Sequence, residues 1–203
     1  MVGRTEGAPP VEFKQTLDHR AFSSAAPEGI GETFPTESEA RGLEVAGEGE
    51  DLSLGIRRIM GMFATGVTII SARVGEQVHG MTANAFMSVS LSPPLVLVSV
   101  DKRARMCGLL HVGRPFGISV LAGSQEALSD RFAGRSGPDL PEPEFELFHD
   151  APLLEGALAH IAARVERSYW GGDHSLFLGL VEYARRGEGT PLLFHGGRYS
   201  QLG

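Results

Sequence analysis

The sequence predicts a mainly β domain: antiparallel strands closed, or nearly closed, into a barrel, with a few short helices. Two observations predict it. Short β-branched or alternating segments recur from residue 67 to residue 202, with turn residues between them. Helical spacing occurs only in brief stretches, too few for the crossover helices that a parallel βαβ sheet needs. Closure would also remove exposed strand edges.

The elements follow in order. Ser53 is a candidate N-cap for a helix carrying Ile56, Ile59, Met60 and Phe63, and Gly66 ends that run. Val67 to Arg73 is a β-branched strand. Val74-Gly75-Glu76-Gln77 turns the chain, and residues 80–91 return as the second arm of a hairpin until Pro93-Pro94 breaks the ladder. Leu95 to Asp101 is apolar enough for a central strand. A short helix is expected over Arg103–Val112 and a strand over Phe116–Leu121. Ser124 caps a helix from Gln125 to Phe132. Residues 134–150 read as a loop. Strands resume over Ala159–Tyr169, His174–Tyr183, Pro191–His195 and Tyr199–Leu202.

Composition excludes several functions. The chain has 203 residues and 42% hydrophobic content, which suffices for one domain with a core. Residues 1–51 hold four Lys or Arg against eleven Asp or Glu, a balance of −7, while residues 52–203 hold fourteen of each. The acidity belongs to the N-terminal segment. That segment is rich in Gly, Glu, Pro, Ser and Ala, and reads as a disordered extension. Phe13, Leu17, Phe22 and Phe34 leave open an arm that docks on a partner subunit. The folded domain is expected over 52–203. Its neutral body carries no basic stripe, so nucleic acid is not expected. A single cysteine, Cys107, forms no intrachain disulfide and suits a reducing compartment. No apolar run approaches the ~20 residues of a membrane helix. The N-terminus lacks the basic-then-apolar order of a secretory signal, so a soluble cytoplasmic protein is expected. The histidines show no ligand spacing, and no metal site is expected. There is no nucleophile elbow, no Walker loop and no dinucleotide-binding glycine fingerprint.

The segment from Gly80 to Leu95 says most about function. Thr82, Asn84, Ser88 and Ser90 occupy even positions, and Met81, Ala83, Ala85, Met87, Val89 and Leu91 odd ones. One face packs, and the other offers hydrogen-bond donors and acceptors. Such a face suits a flat, polar, phosphorylated ligand. Spacing alone equally allows cross-strand bonding on a solvated face.

Three runs here carry a resemblance: Thr65-Gly66-Val67-Thr68-Ile69-Ile70, Gly80-Met81-Thr82-Ala83-Asn84-Ala85-Phe86, and Ser88-Val89-Ser90-Leu91-Ser92-Pro93-Pro94-Leu95. Later pieces agree in order: Gln125, Leu128-Ser129, Arg131-Phe132-Ala133, Gly172-Asp173-His174, Pro191-Leu192-Leu193-Phe194 and Gly197-Arg198-Tyr199. Together they resemble the short-chain flavin reductases, the reductase components of two-component flavin-dependent monooxygenases. The resemblance covers about residues 52–203. It implies an FMN-binding split β-barrel with Greek-key, antiparallel strands, usually as a homodimer. It implies that NADH or NADPH reduces FMN or FAD, and that the reduced flavin passes to a partner monooxygenase.

The resemblance also implies a site. The isoalloxazine ring is expected along His79, Gly80, Met81, Thr82, Asn84 and Ala85, where Asn84 both donates and accepts. Ser99, Val100 and Asp101 end a strand before the helix that carries Arg105 and Met106. Arg103 and Arg105 in that first turn oppose the helix dipole unless an anion such as the flavin phosphate is near; otherwise they are surface arginines. The family often has hydroxylated residues near Ala104 and Met106. Their absence shifts phosphate binding onto Arg105 and backbone amides. Arg131 and Phe132 are expected to approach the cofactor, or Arg131 merely to stabilise a helix end. Gly172, Asp173 and His174 are expected over the flavin face, with His174 positioning nicotinamide. The alternative is a plain hairpin turn with an exposed histidine. Trp170 could wall that site, plug the barrel or contact a second subunit. Two other functions remain open at this point: a flavin carrier or sensor, and a split-barrel oxidoreductase that holds its flavin tightly and reduces another substrate.

Overall fold

A computed structural model describes residues 51–135 and 142–202. The expectations for residues 1–50, tail or arm, lie outside the described residues.

Helix α1 (Leu52–Met60) opens the domain. Its cap is Asp51, not Ser53. The Asp51 carboxylate accepts from the Ser53 amide at 3.0 Å and the Ser53 hydroxyl at 2.9 Å, because the backbone is extended at Asp51 and already helical from Leu52. The helix stops at Gly61 rather than Gly66, and Gly66 instead joins a two-residue strand, β1 (Thr65–Gly66). Next come β2 (Thr68–Val74) and β3 (Gln77–Ala83), a hairpin in which Ile69 faces Thr82 and Val74 faces Gln77. Then follow β4 (Phe86–Leu91), β5 (Pro94–Asp101), α2 (Arg105–Leu109) and β6 (Pro115–Val120). A short 3-10 turn at Gly123–Gln125 leads into α3 (Glu126–Phe132). The expected Ser124 cap is replaced by Gln125, whose side-chain carbonyl accepts the Ala122 amide at 2.9 Å.

The described part of the expected 134–150 loop contains a strand. β7 (Phe145–Phe148) pairs with β8 (Ala151–Leu154) through left-handed His149 and Asp150. Two non-glycine residues in that conformation hid the turn from the sequence. The long strands β9 (Ala159–Gly171) and β10 (His174–Arg186) and the hairpin β11 (Leu192–His195) and β12 (Arg198–Gln201) complete the chain.

Seven strands form one antiparallel sheet in the order β3-β2-β6-β9-β10-β5-β4. Its two edge strands, β3 and β4, are joined by only Asn84 and Ala85. Two residues span roughly 7 Å. The sheet must therefore curl until its edges nearly meet, and the gap between them is the split. This is the mainly β, antiparallel barrel that the strand pattern predicts, split as the family resemblance implies. The single strand expected over residues 80–91 is corrected to two strands on opposite sides of that gap.

β2 is buried on both faces. Ile70 and Ala72 join Val98, Phe116 and Met106 inside the barrel, while Val67 and Ile69 join Leu121, Leu154 and Leu192 outside it. That explains its unbroken β-branched run. β8 crosses the outer face so closely that a Cβ on Gly117 would lie 1.7 Å from the Pro152 carbonyl oxygen. Side chains bind its backbone: Ser71 Oγ donates to Pro152 O at 2.6 Å, Leu154 N donates to Ser119 Oγ at 2.9 Å, and His160 Nε2 donates to Leu154 O at 2.7 Å. These buried polar residues are all paired, as burial demands.

Candidate functional site

The split is where the sheet leaves its polar backbone uncovered. Thr68 Oγ1 donates to Ala83 O at 2.7 Å, and Ser99 N donates to Ala85 O at 3.0 Å, so both ends of the link are tied down. Asn84 lies exposed between them. A groove of about 890 Å³ opens here, walled by Thr65, Asn84, Ala85 and Ser99, with Met60 and Phe63 beside it. Thr65 Oγ1 is buried in this wall with no hydrogen-bond partner. An orphan hydroxyl at a groove costs about 1–3 kcal/mol unless a ligand satisfies it. A flat ligand with donors and acceptors on its edge fits that requirement.

α2 fills the barrel end between β3 and β5, packing Met106 into the core. Met106 is fully buried, so it supports the wall and does not present its side chain to a ligand. Arg105 begins the helix. It lies near enough to His79 to depress the imidazole pKa, although burial of His79 is the larger cause. Arg103 precedes the helix rather than sitting in its first turn. Its guanidinium and amide bind Asp101 at 2.7 and 2.8 Å, which holds that carboxyl well below the usual carboxylate range. Arg103 therefore has an anion of its own chain.

His174 stands directly across from Asp101 on β10, and Leu176 across from Ser99. His174 thus shares a face with Ser99, two rungs and about 7 Å away. Its Nδ1 donates to Asp173 Oδ1 at 2.7 Å, so the tautomer assigned from that partner leaves Nε2 for a ligand. Gly172 has φ +73°, where the turn requires glycine. Its carbonyl accepts Lys102 Nζ at 2.5 Å, and that ammonium sits 5.1 Å from the Trp170 ring centroid. Trp170 stands half-exposed on the β9–β10 hairpin. That rules out the barrel-plug alternative.

The remaining expected residues occupy a second concavity. A cleft of about 740 Å³ is walled by His79, Gly80, Arg131, Phe132 and Phe145. Gly80 is required there: a Cβ would meet the Phe132 ring at 2.5 Å. Thr82 shares this outer face, and its one proton goes to Ser129 O at 2.6 Å, not to a ligand. Arg131 pairs with exposed Glu142 at 2.7 Å. Met81 and Ala83 turn inward to the core, and Val100 is buried, so these offer backbone only. The expected residues thus line two concavities, the groove at the Asn84–Ala85 link and the cleft beside Gly80. Thr65, Thr68, Phe194 and α1 were not foreseen as groove walls. Thr65-Gly66 stood inside a recognised run and was the available signal.

A family model described as the flavin reductase like domain matches residues 60–203. This chain belongs to that family. Over 165 residues the flavin reductase domain is 47% identical to an NADH-dependent flavin reductase from Rhodococcus sp, covering 78% of this chain and 93% of the relative. It is 41% identical over 147 residues to the reductase component of 4-hydroxyphenylacetate 3-monooxygenase from Thermus thermophilus, covering 72% and 94%. Among solved structures, the NADH:FAD oxidoreductase SgcE6 of Streptomyces globisporus, in complex with NAD and FAD fragments, superposes with a TM-score of 0.67. The two share 41% identity over 74% of this chain and 93% of that one. Flavin reductase PheA2 superposes at 0.69, with 41% identity over 76% and 99%. Among the described residues of the flavin reductase domain, no helix is long and apolar enough to cross a membrane.

Proposed function

We propose that this protein is an NADH-dependent flavin reductase, converting FMN or FAD to the reduced form and handing it to a partner monooxygenase. The observation that carries the reading is the groove at the split, lined by the unsatisfied buried hydroxyl of Thr65, by Asn84 and by Ser99, with His174 on the same strand face two rungs from Ser99. Bound flavin supplies the hydride acceptor. The chain's own residues orient and shield. Asn84 and nearby backbone groups match the alternating edge of an isoalloxazine. Asp173 fixes the His174 ring so that Nε2 can hold the nicotinamide carboxamide. No general base is needed, because hydride passes directly between two rings, and alignment supplies most of the acceleration.

The reading includes a homodimer, built on apolar surface that the single chain leaves bare. Phe63 is 76% and Leu91 89% exposed, and Met60, Met62 and Met87 lie open nearby in sequence. It includes a domain running from residue 52 and a cytoplasmic setting, where reduced nicotinamide is replenished. Mixing full-length protein, NADH and free FMN, and following the nicotinamide absorbance, tests it. Turnover of many equivalents of FMN is expected. Consumption limited to tightly held flavin would favour another oxidoreductase, and no oxidation with NADH or NADPH would leave a carrier.

A further inference from the structure

The turn between β9 and β10 is tied to the end of β5 by a single residue. The Lys102 amide donates to Asp173 O at 3.0 Å, and Lys102 Nζ donates to Gly172 O at 2.5 Å. Gly171 pairs with His174, so Gly172 and Asp173 are the whole loop of this hairpin, and Lys102 holds both of their carbonyls. The loop has little else to brace it. Gly172 and Asp173 are exposed, and a Cβ on Gly172 would meet nothing within 4 Å. Around it the carboxylates are already taken. Asp101 pairs with Arg103 at 2.7 Å, and Asp173 with His174 at 2.7 Å. Among the described residues, the Lys102 ammonium meets no carboxylate. It lies between the Gly172 carbonyl and the Trp170 ring, so its charge acts on the hairpin. The chain of contacts then runs on. Lys102 fixes the two loop carbonyls, the loop fixes Asp173, and the Asp173 carboxylate holds His174 Nδ1.

We propose that Lys102 is a positioning residue for the nicotinamide. Acting through the carbonyls of Gly172 and Asp173, it sets where His174 presents Nε2. The inference rests on the flavin reductase reading. Lys102→Met keeps the stem and the amide bond to Asp173 O, and removes only the ammonium. Lys102→Arg keeps a cation that can reach both the carbonyl and the indole.

The test uses the full-length chain and begins without ligand. Trp170 is the only tryptophan, so its fluorescence reports on this hairpin. Acrylamide quenches it more steeply in Lys102→Met than in wild type, and Lys102→Arg restores the wild-type response. With FMN present, the KM for NADH rises about three- to tenfold in Lys102→Met, while kcat and the FMN dissociation constant stay within about twofold. Lys102→Arg stays within about twofold of wild type in all three. Lys102→Met combined with His174→Ala loses little more than His174→Ala alone. Unchanged quenching, an unchanged KM, FMN affinity lost in step with NADH, fully additive losses, or no rescue by Lys102→Arg overturns the inference and leaves the reductase reading intact. Wild-type protein that oxidises no NADH with FMN present overturns both.

Discussion

At the residue scale, His174 is the side chain whose chemistry the sequence and the fold describe together. The sequence marked Gly172-Asp173-His174, and the fold orients it: register sets His174 opposite Asp101, and the bond to Asp173 exposes Nε2. His174→Ala is expected to raise the KM for NADH about tenfold while the FMN dissociation constant changes less than about twofold. Steady-state kinetics and a flavin titration measure the two. A parallel loss of both would make His174 a structural residue of the hairpin. Thr82 shows the opposite case. Its position on a polar strand face was legible, but its partner was not. Ser129 lies 47 residues away, and nothing in local spacing shows that its carbonyl arrives 2.6 Å from the Thr82 hydroxyl. Arg103 is a local case: of the two alternatives the sequence left open, the surface arginine holds, because Asp101 two residues before it supplies the anion.

At the scale of elements, alternation was legible only within one ladder. Met81 and Ala83 point inward, but after Asn84-Ala85 it is Phe86 that points inward, and Met87 turns out. The two linking residues belong to neither ladder, so the pleat restarts with the opposite phase. The apolar residues that the sequence assigned to a core are thus left on an exposed edge strand, which natural sheets cover or charge. Covering by a second copy is the proposed answer. Met87→Glu combined with Leu91→Glu is expected to shift the protein from dimer to monomer in sedimentation velocity. A wild-type monomer, or a double variant that stays dimeric, would contradict this interface. The β7–β8 hairpin was missed for a different reason. It lies against β2, β6 and β9 through buried Ser71, Ser119 and His160, and its own residues carry no clear period-two signal.

At the scale of the whole molecule, stability should depend on pH through its buried imidazoles. Burial depresses the His160 pKa below its ordinary 6.5, outweighing the bond to Leu154; Arg185 depresses it further, while Glu146 opposes. The unfolded chain then binds more protons than the folded one below that pH. Stability is full above about pH 6.5 and declines as the pH falls below it. His79, depressed by burial and then by Arg105, contributes with the same sign. Thermal midpoints measured from pH 7.5 to about pH 5 are expected to fall less for His160→Gln, which keeps a donor for Leu154 O, than for wild type. Equal slopes would show that His160 titrates normally. By itself the sequence determined the strand-rich class, most of the strands and the glycine turn at Gly172, because these are written in neighbouring residues. Only the tertiary structure decided that residues 80–91 straddle a split, that the expected site divides into a groove and a cleft, and that Lys102 reaches the turn at Gly172. Each depends on how a curled sheet brings distant edges together, and strand pairing across such separations is set by global packing rather than by local pattern.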